Sequence, residues 1–215
     1  MAGGTPSSPP SPASISPRAP RRAAFAHAVV VATALLPLAN LALRAATDHL
    51  GADPVEDITH TTGDWALRLL LASLAITPLR RLLGLSALAP LRRSLGLLAF
   101  LYATLHALTY VGLDQGFHWE FLVEDVLERR YVTAGFAAWL CLLPLAATST
   151  RRSMRRLGGA RWTKLHRLIH VAAPLACVHY FWLVKTDLLP PLVYAAVLAL
   201  LWLARLSLPG KEPVR

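Results

Sequence analysis

Three histidines, His106, His166 and His179, lie inside apolar stretches long enough to cross a lipid bilayer. An imidazole in hydrocarbon needs a partner for its polar ring. Haem iron is the partner best suited to a neutral imidazole held in an apolar helix bundle. His106 stands eight residues inward from Asp114, and His179 stands six inward from Lys185. At 1.5 Å per residue both rings lie roughly 9–12 Å below the same boundary. Two imidazoles at one depth on different helices are what axial ligation of a b-type haem requires. The plainer alternative for either ring alone is a hydrogen bond to a carbonyl or hydroxyl of a neighbouring helix.

His166 precedes His179 by 13 residues, roughly 20 Å along a helix, at the opposite end of the stretch. An ideal helix turns the two rings about 140° apart, so the helix bends at Pro174 or the two sites use different faces. A second redox centre below the first is one reading of His166, and a solvated interfacial ring is the other. His170, one turn on, shares its face and is a rival ligand. His49, His60 and His118 fall in polar connections, and His27 in the first turns of the first apolar stretch. Cys141 and Cys177 lie in apolar stretches, and the absence of C-x-x-C-H excludes covalent haem attachment of the c type.

The elements that must position these side chains are helices. Hydrophobic residues make up 55% of the 215-residue chain, mean hydropathy is +0.46, and charged residues are 16%. A soluble domain is typically about 25% charged. Six stretches carry the roughly 20 apolar residues that a bilayer requires: about 23–43, 65–83, 94–113, 131–147, 165–184 and 188–208. The expected fold is therefore an all-α integral membrane protein, a six-helix bundle with haem between helices three and five. Pro37, Pro78, Pro144 and Pro174 fall in or near these stretches and should kink the helices without ending them.

The net charge of +10 is distributed in clusters between apolar segments, and not along the stripe that nucleic acid would need. All basic residues but Arg44, Arg68, Arg129, Arg130 and Lys185 fall on one side of a six-span arrangement, and every acid but Glu212 falls on the other. The positive-inside rule then sets both termini in the cytoplasm. Residues 1–22 read as a disordered Pro/Ser-rich tail, 23–208 as the membrane domain and 209–215 as a short cytoplasmic tail. Arg21-Arg22 before an apolar run reads as an uncleaved first anchor more readily than as an export signal. Topology and anionic headgroups account for the arginine clusters, a grip on haem propionates or a flavin phosphate being the alternative. Trp65, Trp119, Trp162 and Trp182 fit an aromatic belt.

Several segments resemble one family. They are TGDWAL (62–67) running to ITPLRR (76–81), RRSLGLLAFLYATLHALTY (92–110), RWTKLHRLIH (161–170) and HYFWLVK (179–185). Over about residues 25–208 the chain resembles the MsrQ (YedZ) family, haem-binding membrane subunits of the bacterial periplasmic methionine-sulfoxide reductase system. That family falls within the ferric-reductase-like transmembrane group. The resemblance implies a b-type haem, with His106, His166 and His179 matching the family's histidines, and an FMN. It also implies electron delivery from the quinone pool, or from a flavin reductase, across the inner membrane. The acceptor it implies is MsrP, a periplasmic molybdopterin enzyme that repairs oxidised envelope proteins and pairs with the membrane subunit as a heterodimer. In two-haem members of the wider group each of two helices carries a histidine pair. Here Arg92 or Arg93 occupies the position facing His166, which instead would serve a five-coordinate haem, a flavin or a quinol site.

The expected role is that of a redox subunit and not of the catalytic reductase. Three alternatives stand beside it. A ferric reductase would use another acceptor. A small transporter usually needs carboxylates inside the membrane, and here the acids sit in the connections and the tail. A membrane scaffold would carry no cofactor.

Overall fold

Asp53, Pro54 and Gly84 bound the longest helix among the described residues. The Asp53 side chain accepts a hydrogen bond from the Glu56 amide at 3.0 Å, Pro54 fills the first turn, and Gly84 closes the helix with φ at +67°. The computed structural model describes residues 18–207, and every regular element among them is helical. In chain order these are α1 (Arg18–Ala46), α2 (Pro54–Leu83), α3 (Ala89–Thr109), α4 (Trp119–Glu128), α5 (Arg130–Ala147), α6 (Arg151–Leu157), α7 (Gly159–His166), α8 (Ile169–Leu183) and α9 (Leu189–Ser207). A short 3₁₀ turn leads into α3, and a π turn at Tyr110–Asp114 extends it. α1 begins at Arg18, inside the segment expected as a tail. Residues 1–17 and the expected tail at 209–215 lie outside the described residues.

Among the described residues four segments are long and apolar enough to cross a membrane: Ala24–Ala46, Ser86–Asp114, Arg130–Ala147 and Leu189–Ser207. They leave large apolar side chains exposed, among them Leu36, Leu43, Leu108, Leu140, Leu200 and Leu203, as a lipid-facing surface does. α2 and α8 differ in kind. α2 supplies much of the core through Leu67, Leu69, Leu70, Leu71 and Leu74. α8 has only 15 residues, about 22 Å, and buries Ala172, Ala173 and Cys177.

The stretch expected as one helix over 165–184 is two. At Arg167 and Leu168 the backbone tightens: Leu168 N–H donates to Leu165 C=O at 3.0 Å and His170 N–H to Arg167 C=O at 2.9 Å. The helix break therefore falls before Pro174, which sits inside α8 as a proline that does not end its helix. His166 ends α7, and His170 and His179 ride on α8. α4 was not foreseen; its exposed stripe of Trp119, Val123 and Leu127 repeats every four residues.

Polar side chains tie the helices together inside this apolar body. Tyr102 on α3 is fully buried, and its hydroxyl donates to the Ala34 carbonyl at 2.9 Å and accepts from the Leu38 amide at 3.1 Å. These are the carbonyl and amide that an unbroken α1 joins directly, beside the Pro37 that weakens the ladder there. Pro78 has the same effect in α2. It leaves the Leu74 carbonyl without its usual amide, and Arg205 on α9 donates its Nη2 to that oxygen at 3.1 Å. At the opposite end Asp57 pairs with Arg44 and accepts from the Gly51 amide at 3.1 Å.

Tyr102→Phe leaves a buried carbonyl and amide without their bridge. The expected cost is about 1–3 kcal/mol, seen as a lower thermal midpoint in detergent with helix content unchanged at low temperature.

Candidate functional site

His106 on α3 and His179 on α8 meet within the bundle, their ring centroids 6.0 Å apart and their planes 80° to each other. His106 Nδ1 lies 2.9 Å from the Thr59 carbonyl on α2, and His179 Nδ1 lies 2.7 Å from the Tyr131 carbonyl on α5. A carbonyl can only accept, so each Nδ1 carries the proton and each Nε2 keeps its lone pair. That is the tautomer of a metal-bound histidine, oriented by a carbonyl behind it.

Each ring lies against a glycine. A Cβ added to Gly63 would stand 3.0 Å from His106 Nδ1 and Cε1, and one added to Gly135 would stand 2.7 Å from His179 Nδ1. Gly63 follows Thr59 by four residues, and Gly135 follows Tyr131 by four. The same device therefore occurs twice. One helix of each pair, α2–α3 and α5–α8, omits a side chain so that a histidine of the other can reach its backbone. Glycine inside a helix costs roughly 0.5–1 kcal/mol relative to alanine, so the close approach compensates a local penalty.

The donor set fits a haem. Metal–imidazole bonds are about 2 Å, so two rings on one iron have centroids about 6 Å apart. Among the described residues no group of three or more His, Cys, Asp or Glu side chains could hold a metal ion. Two imidazoles alone suit an iron that brings its own equatorial nitrogens.

His166 stands apart from this pair. Its ring stacks on Trp162 at 3.9 Å between centroids, and its Nε2 lies 3.1 Å from Thr148 Oγ1. The single Thr148 hydroxyl proton goes to the Pro144 carbonyl at 2.6 Å, so His166 Nε2 donates to Thr148 Oγ1. His170 is also engaged: its Nε2 accepts from Arg205 Nη1 at 3.2 Å, and its ring sits 6.2 Å from that of Trp202. Of the histidines singled out in the sequence, the fold brings together His106 and His179 and gives His166 and His170 separate partners. His49, His60 and His118 are exposed, and His27 bonds the Ser94 hydroxyl at 2.8 Å. Cys141 and Cys177 are unpaired.

Sequence reasoning missed Asp125, a buried carboxylate on α4. It accepts from Tyr110 Oη at 2.6 Å, Gln115 Nε2 at 3.1 Å and Arg129 Nε at 2.9 Å. Arg129 Nη1 in turn donates to Tyr131 Oη at 3.3 Å, which connects α4 to the residue whose carbonyl orients His179. It also missed Gly63 and Gly135, for which a glycine in the middle of an apolar helix was the available signal.

Gly135→Ala should displace its histidine more than Gly63→Ala does. The expected result is a haem-to-protein ratio, read from the pyridine haemochrome spectrum, that falls further in Gly135→Ala; equal loading of both variants and the wild type would refute these seats.

A family model described as "Ferric reductase like transmembrane component" matches residues 62–177, which contain Gly63, His106, Gly135, His166 and His170 and end two residues before His179. A protein of Rhodospirillum rubrum named "Protein-methionine-sulfoxide reductase heme-binding subunit MsrQ" is 48% identical over 177 residues, covering 82% of this chain and 85% of the relative. The protein of the same name from Xanthomonas axonopodis pv. citri is 50% identical over 182 residues, covering 82% and 83%. That from Herminiimonas arsenicoxydans is 45% identical over 174 residues, covering 80% of each.

Proposed function

Because this chain belongs to the MsrQ family of haem-binding subunits, within the ferric-reductase-like transmembrane group, we propose that it is a b-type cytochrome subunit of a methionine-sulfoxide reductase system. In this reading it passes electrons from the quinone pool, or from a flavin reductase, across the bacterial inner membrane. The acceptor is a periplasmic molybdopterin enzyme, MsrP, which carries out the repair of oxidised envelope proteins. The observation that carries the proposal is the His106–His179 pair, two imidazoles 6.0 Å apart with both Nδ1 protons fixed by helix carbonyls.

His106 and His179 are the residues that would hold the haem. When bound, the haem supplies one-electron exchange between its ferric and ferrous states. The Thr59 and Tyr131 carbonyls would make the imidazoles better electron-pair donors by accepting hydrogen bonds from Nδ1, and Gly63 and Gly135 keep the rings close to those carbonyls. The apolar wall excludes water and lowers the local polarity, which with the ligand type sets the potential. The Asp125–Arg129–Tyr131 connection holds α4 against the end of the bundle nearest the pair, and in the proposed topology that end faces the periplasm. Six membrane crossings, with α2 and α8 as the inner two, and both termini in the cytoplasm complete the reading. Its support is the charge distribution: the arginine clusters lie at one end and the carboxylates of α2, α4 and the connections at the other. FMN belongs to the proposal through family membership alone.

The test is the dithionite-reduced minus oxidised optical spectrum of the purified protein. A b-type spectrum is expected in the wild type, its loss in His106→Ala and His179→Ala, and its retention in His166→Ala. A folded wild-type protein that remains spectrally silent after haem reconstitution would return the reading to a transporter or scaffold.

A further inference from the structure

α4 has three faces, each of a different character. At about 100° per residue, Trp119, Val123 and Leu127 fall within about 80° of the helix circumference. Glu120, Glu124 and Glu128 follow about 100° further round, and Leu122 and Asp125 lie on the remaining side. That side is held to the bundle. Leu122 is buried, Asp125 accepts from Tyr110 Oη and Gln115 Nε2, and the Val126 carbonyl accepts from the Thr133 hydroxyl of α5. The three glutamates are exposed, as solvated carboxylates should be. The apolar stripe is exposed as well, Trp119 at 67%, Val123 at 56% and Leu127 at 78%. Phe121, beyond the glutamates, sets its ring beside that of His118 at 5.7 Å.

The chain on either side fixes the height of α4. It stands between Ser86–Asp114 and Arg130–Ala147, two of the segments long and apolar enough to cross a membrane. Residues 115–118 lead into it and fold back on the end of the first segment. Gln115 N–H donates to Tyr110 C=O and Phe117 N–H to Val111 C=O, both at 2.9 Å. Arg129 alone leads out. One extended residue spans only about 3.5 Å, so α4 cannot rise clear of the boundary where both segments end. The segment that leads in is itself exposed at Leu108 and Leu113, so apolar surface reaches the foot of α4. A soluble partner would leave the stripe bare on dissociation, whereas lipid is always present at that height.

We propose that α4 lies along the membrane–water interface, with Trp119, Val123 and Leu127 seated in lipid, Glu120, Glu124 and Glu128 in water, and Leu122 and Asp125 against the bundle. An interfacial amphipathic helix sinks its apolar face about 5–10 Å into the boundary between headgroups and acyl chains. The row of glutamates selects headgroups without net negative charge, since anionic ones would repel it. Seated in this way, α4 carries Asp125 and Arg129 at a fixed height beside Tyr131, whose hydroxyl Arg129 bonds. The proposal rests on the membrane crossings of the two flanking segments and not on the haem.

The experiment uses the full chain in nanodiscs of phosphatidylcholine, with Cys141 and Cys177 replaced by alanine. Trp119→Cys, Val123→Cys, Leu127→Cys, Glu120→Cys, Glu124→Cys and Glu128→Cys are made singly and spin-labelled. Collisions of each nitroxide with oxygen, which concentrates in lipid, and with a water-soluble nickel chelate report its depth. The three stripe labels are expected to favour oxygen at one common depth of about 5–10 Å, and the three glutamate-position labels to favour the chelate. Stripe labels as open to the chelate as the others overturn the proposal and leave the stripe to a soluble partner. Stripe labels shielded from both reagents, with broadening between nitroxides, overturn it in favour of a second copy of the chain. A depth that grows steadily from 119 to 127 also overturns it, since the helix then stands upright. A second measurement keeps the natural cysteines: the difference in emission between the wild type and Trp119→Phe isolates Trp119. That component should be quenched by phosphatidylcholine brominated in the upper acyl chain and not by acrylamide, and the reverse overturns the proposal. A failed haem spectrum leaves these results untouched, so the two readings stand or fall separately.

Discussion

A histidine in an apolar bundle has two ring nitrogens, and both must be accounted for. The structure solves this for His106 and His179 by turning one nitrogen of each ring to the backbone of an adjacent helix. A helix carbonyl is already engaged in its own ladder, but its second lone pair remains open to a donor approaching from the side. That approach is blocked wherever the neighbouring helix position carries a Cβ. The packing of α2 on α3 and of α5 on α8 is thus constrained at Gly63 and Gly135, and the depth of both rings follows from that contact. The plain reading of these histidines, a bond to a neighbouring carbonyl, takes Nδ1 of each ring and leaves Nε2 for the proposed metal.

A second constraint comes from proline. Pro37 and Pro78 each leave a helix ladder imperfect in a place where no water can repair it. The repairs come from other helices: Tyr102 of α3 for α1, and Arg205 of α9 for α2. Kinks in this protein are therefore points of attachment between helices. The arginine that bonds the carbonyl opened by Pro78 brings one positive charge inward at the basic end.

The helices themselves were legible in the sequence, because apolar length and charge asymmetry are properties of composition that survive without tertiary information. The equal depth of His106 and His179 was legible for the same reason, since rise per residue turns sequence distance into depth. Other features were not. The break at Arg167–Leu168 carries no proline or glycine, and it separates His166 from His170 by a local tightening that hydropathy does not register. Pro174, expected not to end its helix, indeed lies inside α8. α4 is ten residues long and half acidic-faced, too short and too polar for a search tuned to membrane spans. The positions of Gly63, Gly135 and Arg205 depend on which helices pack together, and one sequence read alone does not contain that pairing.

The repeated seat divides the histidine site between two pairs of helices, each contributing one ring, one glycine and one carbonyl. Neither pair is a receptor by itself. Between them run the Trp139–Thr104 hydrogen bond, 3.1 Å long, and the stacking of Phe100 on Trp139. A group gripped from both sides adds a clamp across that seam, and a ligand bound only by the joined form raises its stability by mass action. Under the proposed haem binding, the empty protein is held across this seam by protein contacts alone, the shared apolar core among them, and presents a looser target to membrane proteases than the loaded form.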